Sequence, residues 1–134
     1  MSQELDSKQK VLLAFYTEYQ KDIPHINKIT YELLEMEKSV FHIAIIKLQN
    51  EGLIHGAGIT KGSRIELDRA EYRNALPTSE GLEYVETKLD IGPDLSNSEK
   101  VKLTIEKTAS WGLTQFKDVL TKIAAEAIKT TFSP

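Results

Sequence analysis

Apolar positions along the chain keep a helical period, pass into a short alternating stretch, and return to a helical period. Val11, Leu12, Phe15, Tyr16 and Tyr19 share one helical face. Asp6 stands ahead of them with Gln9 three residues on, the spacing of a capping box. A first helix is therefore predicted from Asp6 to the Asp22–Pro24 step, where the residue before proline leaves helical space. Ile29, Leu33 and Leu34, with Thr30 as cap, predict a short second helix over Tyr31–Met36. Phe41, Ala44, Ile45 and Leu48 step by threes and fours and predict a third helix, which Gly52 stops. The close spacing of the second and third helices is a helix-turn-helix signal.

Leu53–Ile59 then reads as a strand, Thr60–Ser63 as a turn and Arg64–Leu67 as the returning strand, with the charged segment Asp68–Asn74 looping out. Four of the seven glycines, Gly52, Gly56, Gly58 and Gly62, fall in or just before this hairpin and predict a bent, mobile one. Leu76-Pro77-Thr78 predicts a strand end followed by a helix capped at Thr78 or Ser79, with Glu80 at its dipole-favoured start and Leu82, Val85 and Leu89 inward. Asp90–Ser98 has the Gly-Pro step and small polar residues of a linker. Beyond it Val101, Ile105, Ala109, Leu113, Phe116, Leu120, Ile123 and Ala127 mark an amphipathic helix, or a pair split at Ser110-Trp111-Gly112 with Thr114 recapping the second part. The fold expected is α+β and mainly helical: a winged helix-turn-helix over residues 1–89, a linker over 90–98 and an amphipathic extension over 99–134.

Composition narrows the chemistry. The absence of cysteine excludes disulfides and thiolate metal sites. The polar first ten residues carry no apolar core of a signal peptide, and no stretch has the length of apolar residues that spans a bilayer, so a cytoplasmic location is expected. Up to residue 95 the chain carries 11 basic and 16 acidic residues; after it, six and four. A duplex-binding module normally carries the opposite excess. No phosphate loop, zinc-protease motif or nucleophile elbow is present, and His25, His42 and His55 lack ligand spacing. The chain is thus expected to be no enzyme and to use no cofactor or metal.

Ser39-Val40-Phe41, Leu48, Glu51-Gly52-Leu53-Ile54 and Leu76-Pro77-Thr78-Ser79-Glu80-Gly81-Leu82-Glu83-Tyr84 resemble the YjcQ-like winged-helix proteins, a Gram-positive and prophage-associated group of undefined role. The resemblance covers roughly residues 7–89 and rests on fold signatures, not catalytic ones. It implies a winged helix and leaves the role open.

Aligned by Phe41 and Leu48, the third helix would present Lys38, Ser39, His42, Ile43, Ile46 and Lys47. Lys38, Ser39, His42 and Lys47 could approach bases, with Lys61 and Arg64 on phosphate. No Arg, Asn or Gln, the side chains built for bidentate base contacts, stands among the helical positions. The expected function is a non-enzymatic regulator that binds duplex DNA as a dimer through the C-terminal helix. The alternative is a protein-interaction module that does not bind DNA and uses Ile43 and Ile46, or Trp111, Leu113, Phe116, Leu120 and Ile123, as contact surface. Membrane binding by the basic flank Lys117, Lys122 and Lys129 is disfavoured by Asp118 and Glu126 within it.

Overall fold

The computed structural model describes residues 5–110 and 113–132, with side chains of the final helix as far as residue 125. The fold is α+β and mostly helical, and its centre is α1, Ser7–Tyr19. The expected capping box is formed: Asp6 Oδ1 accepts from Gln9 N–H, and Gln9 Oε1 accepts from Asp6 N–H. Val11 through Glu18 are all buried, so α1 hides every face rather than one stripe.

The second helix expected over Tyr31–Met36 is a single turn. Thr30 Oγ1 accepts from Leu33 N–H as a cap should. The turn is then closed by Glu35 N–H to Glu32 C=O and Met36 N–H to Tyr31 C=O, with Glu35 left-handed at φ 57°. That pair of bonds is a Schellman ending, which satisfies the last carbonyls and prevents continuation. α2, Lys38–Asn50, follows and buries Phe41, Ala44, Ile45 and Leu48 as expected. It ends in the same motif at Gly52, φ 79°, where no Cβ opposes the turn.

The strand expected over Leu53–Ile59 is two strands in two sheets. β1, Ile54–His55, pairs antiparallel with β4, Leu76–Pro77. Gly56, φ 95°, turns the chain, and β2, Gly58–Thr60, pairs with β3, Arg69–Glu71. The returning strand is therefore not Arg64–Leu67, whose last three residues form a 3-10 turn, and residues 69–71 are not loop. Asp68 sets this register: its buried carboxylate accepts from Gly62 N–H at 2.9 Å and closes the connection.

α3, Ser79–Leu89, starts from Thr78, whose hydroxyl accepts from Gly81 N–H. Gly81 is required there, because a Cβ would lie 2.1 Å from the Leu53 carbonyl oxygen. α4, Asn97–Ser110, and α5, Thr114–Phe132, pack on each other and on α1. Thr114 is the first residue of α5 rather than its cap, since Leu113 C=O already accepts from Lys117 N–H. Phe116, Val119, Leu120 and Ile123 join the same buried cluster as Phe15, Phe41 and Val85. Ile91, inside the expected linker, is buried as well. One core thus runs from the first helix into the C-terminal extension. Tyr16 on α1, Glu86 on α3 and Lys100 on α4 tie these layers together: Tyr16 Oη donates to Glu86 Oε2 at 2.9 Å, and Lys100 Nζ meets the same oxygen at 2.9 Å. No helix among the described residues is long and apolar enough to cross a membrane.

Candidate interaction face of α2 and its hairpin

α2 and the β2–β3 hairpin are locked together by two side chains one helical heptad apart. His42 Nδ1 accepts from Ala70 N–H at 3.0 Å. Gln49 meets Ala57 twice, donating to its carbonyl at 2.9 Å and accepting from its N–H at 2.8 Å. Residues 42 and 49 lie on one side of a helix, so the hairpin runs along that side. Ile46 lies between them and is packed against the core. The covering element is therefore the hairpin; α5 lies against α1 and α4 instead.

His42 is consequently tied to the hairpin through its Nδ1 atom. Its ring sits edge-on to Phe41 at 5.6 Å and beside Tyr72 at 6.3 Å. Burial, then the positive charges of Arg69 and Lys38, hold its pKa below the usual histidine value. With Nδ1 accepting, the neutral ring carries its proton on Nε2.

The cations expected to meet phosphate are engaged within the hairpin. Lys61 Nζ lies 3.3 Å from Asp68 Oδ2, and Arg64 Nε 3.5 Å from Glu66 Oε2. Arg69 donates to the Glu66 and Asp68 carbonyls, and Arg73 faces Glu71 at 4.0 Å. The Gly62 N–H and the Lys61 ammonium keep the Asp68 carboxyl below the ordinary carboxylate range, which fixes its negative charge beside Lys61. Lys38 and Lys47 stand exposed on α2 and Ser39 is half-buried, while Glu32, Glu35 and Glu37 are exposed just ahead of the helix.

What the face offers instead is apolar. Ile65 is 64% exposed, Leu67 42% and Ile59 37%. Ile65 and Leu67 belong to the 3-10 turn that packs against α2, and Ile43 is half-exposed on the helix itself. Ile59 is the cross-strand partner of Ala70, so its side chain leaves the hairpin on the same face as that buried alanine. Gln49, Ile59, Ile65, Leu67 and Asp68 were not singled out by the sequence. The alternation of Ile65 and Leu67 within a charged segment read as a strand, and a 3-10 turn there directs both outward.

Of the other contact residues suggested by the sequence, Phe116, Leu120 and Ile123 are buried within the chain and cannot serve as an open surface. Leu113 packs partly against the core, and Trp111 lies outside the described residues. A cleft of about 530 Å³ opens between the end of α1, residues 28–33 and α5, lined by Lys21, Leu33, Lys122 and Ile123 among others. Its buried carboxylate, Glu18, already binds Lys21 at 2.7 Å and the His25 N–H at 2.8 Å. Among the described residues no three histidine or carboxylate groups converge as metal ligands. The comparison with known proteins returned no matching family model, curated protein or solved structure.

Proposed function

We propose that this chain is a protein-contact module with a winged-helix arrangement, in which α2 occupies the recognition position and the β2–β3 hairpin is a wing folded back onto it. The order of α1, a one-turn second helix, α2 and a hairpin supports that arrangement and the resemblance to the YjcQ-like group. The observation that carries the functional reading is the exchange of charge for apolar surface. Lys61 and Arg64 have carboxylate partners, and His42 is committed to Ala70, while Ile59, Ile65 and Leu67 are left exposed beside α2. A phosphate-binding face requires the reverse, because phosphate attraction supplies the non-specific floor of duplex binding. Exposed apolar side chains gathered beside a helix support a protein-contact reading.

The rival reading, a dimeric DNA-binding regulator of prophage type, is favoured by Lys38 and Lys47, the exposed lysines of α2. Fluorescence anisotropy of a labelled random-sequence duplex, titrated with the chain at low and at moderate salt, separates the two. The expected result is no binding at either salt concentration. Binding at low salt that weakens steeply as salt rises would reject the protein-contact reading in favour of the regulator.

A further inference from the structure

We propose that the cleft between the end of α1, residues 28–33 and α5 binds a small amphipathic carboxylate, an anion with an apolar body of the medium-chain fatty acid type. This goes beyond the protein-contact reading, and the cleft shares no residue with the Ile59, Ile65 and Leu67 face. At about 530 Å³ the cleft has the size of a small-molecule site, a class that runs from about 300 to 1,000 Å³. It forms where segments far apart in sequence meet, Glu18 to Leu33 on one side and Lys122 to Ala125 on the other.

The lining combines two chemistries. Ile29 and Ile123 are buried, and Leu33 and Ala125 extend the same apolar wall. The polar groups are cations and a hydroxyl. Lys21 comes from just beyond α1, Lys28 from the 3-10 turn Ile26–Lys28, and Lys122 from α5. Thr30 Oγ1 accepts from Leu33 N–H, which leaves its own proton as a donor.

Glu18 decides the sign of the ligand. It is 1% exposed and is the one carboxylate among the described lining residues. Lys21 Nζ lies 2.7 Å from its Oε1, and His25 N–H donates to its Oε2 at 2.8 Å. With a partner on each oxygen, this acid does not call for a cation. An ammonium has three donors, and Glu18 takes one of those of Lys21 while holding that side chain in place. Lys28 and Lys122 are exposed beside it. The lining therefore favours a negative ligand. Bare phosphate would leave the apolar wall unused. A carboxylate with a hydrocarbon body uses both halves: its head meets Lys21 and Lys122, and its body leaves water against Ile29, Leu33 and Ile123.

Amide chemical shifts of the full chain, titrated with sodium octanoate at millimolar concentration, test this. Saturable shifts are expected, gathered at residues 18–33 and 119–125. Inorganic phosphate and octanol each carry one half of the chemistry, and each is expected to bind about tenfold more weakly or worse. Lys122→Glu changes an exposed position, so it is expected to keep the circular dichroism of the parent and to weaken octanoate by about tenfold or more. Ala125→Trp, also at an exposed position, keeps every charge and fills the cleft, and is expected to abolish the shifts. Absence of saturable shifts overturns the proposal, as do shifts spread over the whole chain, equal binding of octanol or phosphate, or octanoate binding that survives both substitutions. The duplex titration reads the protein-contact proposal separately, so failure of one leaves the other standing.

Discussion

Thr108 carries an uncompensated cost. It is fully buried on α4, and among the described residues its hydroxyl has no hydrogen-bond partner. The buried Thr104 and Thr17 differ, since each donates to the carbonyl four residues back, Lys100 and Leu13. Thr108→Val keeps the shape and removes the stranded hydroxyl. It is expected to raise unfolding stability by roughly 1 kcal/mol, read as a higher urea midpoint at unchanged slope, while Thr104→Val leaves the midpoint nearly unmoved. Glu35 is a second residue-scale case. Held at φ 57°, it occupies a position that glycine takes without Cβ strain. Glu35→Gly is expected to raise stability by about 0.5 kcal/mol, the strain relief being partly offset by a more flexible unfolded chain; a lower thermal midpoint would contradict it. Gly52 announced its left-handed turn by composition. Glu35 and Asp90, φ 55°, did not, because a glutamate or aspartate does not display its backbone angle.

The hairpin shows how elements depend on single contacts. Arg69–Glu71 is a strand with Ala70 inward and charged neighbours outward, and one small apolar residue between two charges reads as loop. What makes it a strand is the Asp68 closure behind it and the His42 bond beside it. That second bond has a pH signature. The folded pKa of His42 lies below its unfolded value near about 6.5, because burial and two neighbouring cations oppose the charged ring. The folded state therefore binds fewer protons than the unfolded one. The contribution of His42 is complete above the unfolded pKa and declines as pH falls toward the folded value. His42→Asn keeps an acceptor near the Nδ1 position without titrating. The stability gap between parent and variant is expected to narrow, or reverse, on acidification below about pH 6.5, followed by urea melts at several pH values. A gap independent of pH would contradict the assignment.

At the scale of the molecule, α1 is enclosed on all sides. α2, α3 and β4 meet it from one part of the chain, and α4 and α5 from another. Burying a residue such as Leu13 or Phe15 contributes about 1.5–3 kcal/mol, and native domains are only marginally stable. A chain ending at residue 95 loses α4 and α5 and uncovers one side of α1. It is expected to lose its cooperative thermal transition and to aggregate, as followed by circular dichroism and light scattering. A truncated chain that melts cooperatively near the parent midpoint would show that the C-terminal pair is an appendage. The unbroken apolar run Val11–Tyr16 already carried this information, since a helix apolar on every side must be covered on every side.

Local chemistry by itself determined where α1 and α3 begin and where α2 ends. Asp6 with Gln9, Thr78 and Gly52 act through neighbours within a few residues, and the period of Phe41, Ala44, Ile45 and Leu48 needs no distant partner to be read. Only the tertiary structure decided which surfaces remain. Whether Lys61 is available depends on Asp68 being folded beneath it, whether His42 is free depends on Ala70 arriving 28 residues later, and whether Leu120 faces solvent depends on α5 returning to α1. These are pairings of groups distant in sequence, and their energies exist only once the chain has brought the groups together.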